Sequence, residues 1–199
     1  MNERHRQRGA SVPIRLHSIL SLLCPDQVAE SVTCVDVAAL KCRRIEALLM
    51  DLDNTLVPWR GYDVSTGVLE WLRGAEAQGL KLCIVSNTRF PKRLARLAGK
   101  LGMPFVNAAF KPRRGAFRAA LALLDVEPSS AAVVGDQVFT DILGGNRLGL
   151  HTILVRPLSR REFAGTRISR LFERVVLWML GRRGMLTPNP AERSASREQ

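Results

Sequence analysis

The sequence predicts an α/β fold: a doubly wound parallel sheet with helices on both faces. Two observations carry that expectation. Short apolar runs of strand character recur through residues 45–156, and most end on polar or charged residues. Segments with apolar residues at helical spacing separate them. Strands alternating with helices form a parallel sheet, and right-handed crossovers wind it on both faces.

The elements follow in order. Ala47 to Asp53 is an apolar run ending in acids, as expected of a strand buried on both sides. Val68, Leu69, Leu72, Ala75 and Ala77 lie among good helix formers, and Gly79 closes that helix. Leu80 to Ser86 is the next strand. Pro91 opens a helix with Leu94, Leu97 and Leu101 at helical spacing, and Gly102 stops it. Pro104 to Ala108 is a weaker strand. Ala116 to Leu124 is a third helix, Ala131 to Asp136 a strand, Asp141 to Leu148 a shorter helix and His151 to Val155 the last strand. No internal repeat occurs.

A length of 199 residues suits one domain. With 46% hydrophobic and 24% charged residues, the composition excludes a disordered or collagen-like chain. No apolar run approaches the roughly 18 residues that a membrane-spanning helix needs. Charge is the unusual feature. The net charge is +12, of which residues 1–17 carry +3 and residues 156–199 carry +6. The expected organisation is a basic N-terminal segment and lead-in over 1–44, a core over 45–156, a basic helical segment over 157–183 and a disordered tail over 184–199. Basic ends on a nearly balanced core suit an anionic partner.

Cys24, Cys34, Cys42 and Cys83 form no C-x-x-C pair, which argues against zinc. Asn2 to Arg6 is too polar to open a signal peptide. Both features point to a reduced, cytoplasmic setting.

The strand ends carry the chemistry. In a doubly wound sheet, ligands bind beyond the carboxyl ends of the strands. There stand Asp51 and Asp53, Ser86 and Asn87, Lys111, and Gly135-Asp136 with Asp141 shortly after. Asp51 and Asp53 are two positions apart and so project to one side of an extended chain. Carboxylates gathered beside Asp136 need a cation among them, and Mg²⁺ is the natural one where phosphate also binds. One carboxylate can attack phosphorus, and the other can protonate the leaving oxygen and later activate water. Ser86 and Lys111 suit phosphate oxygens.

Taken together, Asp51-Leu-Asp-Asn-Thr55, Ser86-Asn87, Lys111 and Gly135-Asp136 with Asp141 resemble the four motifs of the haloacid dehalogenase (HAD) superfamily. The resemblance covers about residues 45–156. It implies a HAD-like Rossmannoid core, Mg²⁺ dependence and phosphotransfer through an aspartyl phosphate. By resemblance, Asp51 is the nucleophile and Asp53 the general acid/base. Thr55, Ser86, Asn87 and Lys111 fall to the phosphate side, Thr55 by supporting the loop after the nucleophile. Asp51, Asp53, Asp136 and Asp141 fall to the metal side, Asp141 as support.

Two spacings sharpen this. Asp53 to Ser86 is 33 residues and Ser86 to Lys111 is 25, and neither interval can hold a cap domain. An uncapped site suits a phosphate on something large. Asp51 to Trp59, Gly135-Asp136-Gln137 and Thr140 to Arg147 are similar to the subfamily IIIA phosphatases that include phosphatidylglycerophosphate phosphatase. Thr166 to Arg174 is similar to the tail of that group. Ser86-Asn-Thr88 departs from the Ser-Asn-Asn of the group.

The resemblance therefore implies a phosphorylated lipid substrate. The two ends fit an anionic membrane surface, or else two helices that pack on the domain with their arginines facing water. Leu16, Ile19, Leu20 and Leu23 alternate with Arg15 and His17, and Leu171, Val175, Val176 and Trp178 are bracketed by Arg167, Arg170, Arg174, Arg182 and Arg183. Such a protein would sit peripherally on the inner face of the membrane. The alternatives are a phosphatase on nucleic acid 3′ ends and a non-catalytic RNA- or ribosome-binding protein. Aromatic residues at only 6% leave few stacking platforms, which disfavours nucleic acid.

Overall fold

The computed structural model describes residues 20–107, 110–159 and 175–182. It contains six parallel strands in one sheet: β1 (Gln27–Ala29), β2 (Ala47–Met50), β3 (Lys81–Val85), β4 (Phe105–Val106), β5 (Ala131–Gly135) and β6 (His151–Val155). Their spatial order is β1-β6-β5-β2-β3-β4. From β2 the chain steps outward through β3 and β4, then returns to build β5 and β6 on the other side. The winding reverses between β2 and β5, which opens a crevice at their carboxyl ends.

The helices are α1 (Val37–Cys42), α2 (Thr66–Ala77), α3 (Pro91–Leu101), α4 (Arg114–Leu124) and α5 (Leu143–Asn146). Side-chain alternation along β2 divides the core. Leu48 and Met50 pack with Leu40, Leu72, Leu94 and Leu97 on one face. Ala47 and Leu49 pack with Phe117, Ala120 and Leu121 on the other. The strand and helix order expected from the sequence is present.

Local chemistry explains the boundaries. The Ser65 hydroxyl accepts the Val68 N–H and starts α2. Pro91 occupies the first turn of α3, and Gly102, with φ 68°, ends it in a left-handed turn. A Cβ at Gly144 would lie 2.4 Å from the Phe117 ring, so the glycine lets α5 lie against α4.

Some elements differ from expectation. β1 and α1 were not anticipated. Asp26 holds β1 to β6 by accepting the Thr152 N–H (2.8 Å) and hydroxyl (3.0 Å). Asp36 caps α1 by accepting the Ala39 N–H. Where one short helix was expected over Asp141 to Leu148, a π-helical turn over Val138–Ile142 leads into α5.

Residues 20–23 and 175–182 are helical and pack together. Leu20, Leu23, Val176 and Leu180 form one buried cluster with Val138, Ile142 and Leu154. Val175 and Trp178 remain exposed. Arg15, Arg167, Arg170, Arg174 and Arg183, the Thr166–Arg174 similarity and the tail expected over 184–199 lie outside the described residues. Among the described residues, no helix is long and apolar enough to cross a membrane.

Candidate active site

The site forms where three strands of the sheet end together. The Asp51 N–H donates to the Val134 carbonyl (2.9 Å), which extends the β2–β5 ladder by one residue. Asp51 and Asp136 therefore leave neighbouring strands beside the crevice. Ser86 leaves β3, and its N–H donates to the Val106 carbonyl. Asp51, Asp53, Asn54, Ser86, Asn87, Lys111 and Gln137 line an open cleft of about 290 Å³. Asp136, Asp141 and Thr55 are buried behind that wall, each about 1% exposed.

Lys111 organises the floor. Its ammonium donates to Asp51 Oδ1 and to Asp141 Oδ1, both at 2.6 Å. Burial alone would lower its pKa. Asp141 and Asp51 outweigh burial and hold it above the ordinary lysine value. Burial pushes Asp51 up to about 7; Lys111 pulls it back, and Asp141 and Asp53 add to the rise. The floor holds more negative charge than one ammonium balances.

That excess, on oxygen donors alone, suits a hard divalent cation. Asp51, Asp136 and Asp141 are the residues that could hold it. Among the described residues, no three of Asp, Glu, His and Cys already gather around a metal-sized point. Lys111 Nζ stands between Asp51 and Asp141 instead.

Asp141 can reach the floor because residue 135 is glycine. A Cβ there would lie 2.3 Å from Asp141 Cγ. Asp141 also accepts the Gln137 N–H through Oδ2.

Asn87 faces Lys111 through the main chain. Its Oδ1 accepts the Lys111 N–H (2.9 Å), and its Nδ2 donates to the Lys111 carbonyl (3.3 Å). The asparagine thereby fixes the backbone that aims the ammonium. The Ser86 hydroxyl accepts the Thr88 N–H (3.2 Å), which tightens the turn after β3. Thr55 sits inside the loop after Asp51, with no hydrogen-bond partner for Oγ1 among the described residues.

Sequence reasoning missed Arg93. This buried residue on α3 makes a bidentate ion pair with Asp53 and donates twice to the Gly61 carbonyl. The available signal was its position four residues before Leu97, on the buried side of the helix. It also missed the cleft mouth, where Trp59, Arg60, Arg89 and Phe90 complete the wall.

A family model described as HAD-hydrolase-like matches residues 109–157. The chain is 37% identical over 160 residues to the "Probable phosphatase YqeG" of Bacillus subtilis, covering 80% of this chain and 92% of that protein. It is 32% identical over 147 residues to the chloroplastic phosphatidylglycerophosphate phosphatase 1 of Chlamydomonas reinhardtii, covering 70% of this chain and 55% of that protein. One solved crystal structure superposes with a TM-score of 0.51 at 19% identity, over 72% of this chain and 86% of its own, and bears on the fold alone.

Proposed function

The chain belongs to the HAD-like hydrolases and is a HAD-type phosphatase, and on that footing we propose that it is a Mg²⁺-dependent phosphomonoesterase acting on phosphatidylglycerophosphate. The observation that carries the reading is Asp51 on the wall of an open cleft, bonded to Lys111 and two residues from a second carboxylate.

In this reading the ester phosphate enters the cleft between Ser86 and Lys111. An Asp51 carboxylate oxygen attacks phosphorus. The bond from phosphorus to the ester oxygen breaks, and Asp53 gives that oxygen a proton. Water then attacks phosphorus of the aspartyl phosphate while Asp53 takes its proton; the bond from phosphorus to the Asp51 oxygen breaks, which restores the carboxylate, and inorganic phosphate leaves. Lys111 balances charge on the transferring group. Mg²⁺, held by Asp51 and Asp136 with Asp141 in support, would add positive charge at the same place. Arg93 fixes the position of Asp53 through both carboxylate oxygens.

The openness of the cleft and the similarity to a phosphatidylglycerophosphate phosphatase support the substrate. With β3, α2, α3 and β4 filling both intervals between motifs, no cap encloses the site among the described residues. A phosphate on a bulky carrier can then approach. The test is phosphate release with Mg²⁺ from phosphatidylglycerophosphate in detergent, from 3′-phosphorylated oligonucleotides and from small sugar phosphates. Preference for the lipid supports the reading. Preference for the oligonucleotide assigns the cleft to nucleic acid ends.

A further inference from the structure

Four of the eight large exposed hydrophobic side chains among the described residues gather on one side of the fold. Tyr62 (51% exposed), Phe90 (45%), Phe110 (67%) and Leu158 (42%) lie on loops leaving the carboxyl ends of β2, β3, β4 and β6. That is the edge where the cleft opens. The Arg60 guanidinium lies 4.6 Å from the Trp59 ring centre and 4.9 Å from that of Phe90, and all three line the cleft. Phe110 directly precedes Lys111, with Arg113 over its ring. Leu158 is tied to the cleft by its N–H, which donates to the Asn54 carbonyl (3.0 Å).

This rim is also basic. Arg60, Arg89 and Arg113 are exposed there. Exposed apolar side chains around a functional opening mark an interaction surface. Aromatic rings beside arginines suit the boundary between anionic head groups and acyl chains. They suit single-stranded nucleic acid less well, because stacking needs open ring faces and Arg60 lies over both Trp59 and Phe90.

Resting on the reading that the substrate phosphate is carried by a lipid, we propose that this rim docks on an anionic lipid surface with the cleft facing the bilayer. Phe90 and Phe110 enter the head-group boundary, and Arg60, Arg89 and Arg113 meet lipid phosphates. A lipid-borne phosphate then reaches Asp51 without its acyl chains leaving the membrane. Docking therefore resides in the loops beyond the sheet, whatever the basic ends add.

The test is sedimentation of the full chain with vesicles of equimolar phosphatidylcholine and phosphatidylglycerol. The variant is Phe110→Asn with Arg113→Ser. Both positions lie outside the cleft wall. Asn tolerates the φ of 45° at position 110, and Ser suits the N-cap of α4 at position 113. The parent should bind, more weakly as salt rises. The double variant should bind at least about tenfold more weakly, on the scale of one lost arginine and one lost interfacial ring, and should hydrolyse para-nitrophenyl phosphate at the parental rate. Any of four results overturns the docking face: no binding by the parent; undiminished binding by the variant; parallel loss of soluble-ester hydrolysis; or displacement of the parent from vesicles by oligouridylate whose own binding falls in the variant. Hydrolysis of phosphatidylglycerophosphate in detergent micelles is measured alongside. It tests the substrate separately, since micellar substrate needs no docking.

Discussion

Arg93 holds both carboxylate oxygens of Asp53, with Nη1 at 3.0 Å from Oδ2 and Nη2 at 2.9 Å from Oδ1. The same guanidinium binds the Gly61 carbonyl through Nε and Nη2, and the Arg60 N–H donates to Asp53 Oδ1 (3.0 Å). The second carboxylate of the site is thus fixed by a helix and by its own loop. Arg93→Lys keeps the charge but cannot form the two-pronged pair. Turnover of unactivated phosphate esters should fall by about tenfold to a hundredfold, with a smaller loss for esters of acidic alcohols that need little protonation. Equal losses for both ester types would show that Arg93 acts only on folding.

Asp51→Asn should abolish turnover and also raise the melting temperature. Asp51 is held near 7 in the fold, above its unfolded value, so it prefers its proton there. The folded state binds more protons than the unfolded chain between roughly pH 4 and 7, so stability falls as pH rises across that window and stays reduced above it. An uncharged amide removes that penalty. Thermal unfolding at pH 8 in chelator should show the variant above the parent. A variant melting well below the parent would make Asp51 a structural residue.

Added Mg²⁺ should be required for phosphate release and should raise the parent's melting temperature, and less so that of Asp51→Asn. Ca²⁺ should support little turnover, because its longer bonds and higher coordination number spoil the alignment. Full activity in chelator would contradict the site as described.

Asn87→Ala removes both side-chain bonds to the Lys111 backbone. Turnover should drop while far-ultraviolet circular dichroism stays unchanged. Unaltered kcat and KM would mean that the chain fixes Lys111 without Asn87.

His151 gives a pH signature away from the cleft. Burial holds its imidazole below the ordinary value; nearby Asp26 opposes this and Arg43 adds to it. A histidine with a lowered folded value charges more readily in the unfolded chain. Stability should therefore fall as pH drops below about 6.5. Unfolding by urea at a series of pH values should show that slope, and His151→Gln should flatten it.

The parts of the fold legible in the sequence were those with continuous burial. β2, β3, β5 and β6 are almost wholly buried apolar runs, and a run that must avoid water on both faces has few other readings. β1 escaped because an edge strand of three residues, two of them half-buried, carries no such run. Asp51, Asp53, Ser86 and Lys111 were legible because strand ends converge in this topology and the cleft gathers all four. Arg93 was not, since an arginine on a helix reads as a solvated side chain until its partner across the chain is known. Asn87 sits where a phosphate ligand was expected, yet its amide faces the Lys111 main chain, a contact spanning 24 residues that local pattern cannot reveal.

The central claim is covalent catalysis by Asp51, and the most direct measurement is mass spectrometry of acid-quenched protein during turnover. Mixing enzyme, Mg²⁺ and substrate and quenching within the first turnover should leave one phosphoryl group on the peptide carrying Asp51, and none in Asp51→Asn. Rapid phosphate release with no phosphoryl group on that peptide, or release by Asp51→Asn at the parental rate, would contradict it.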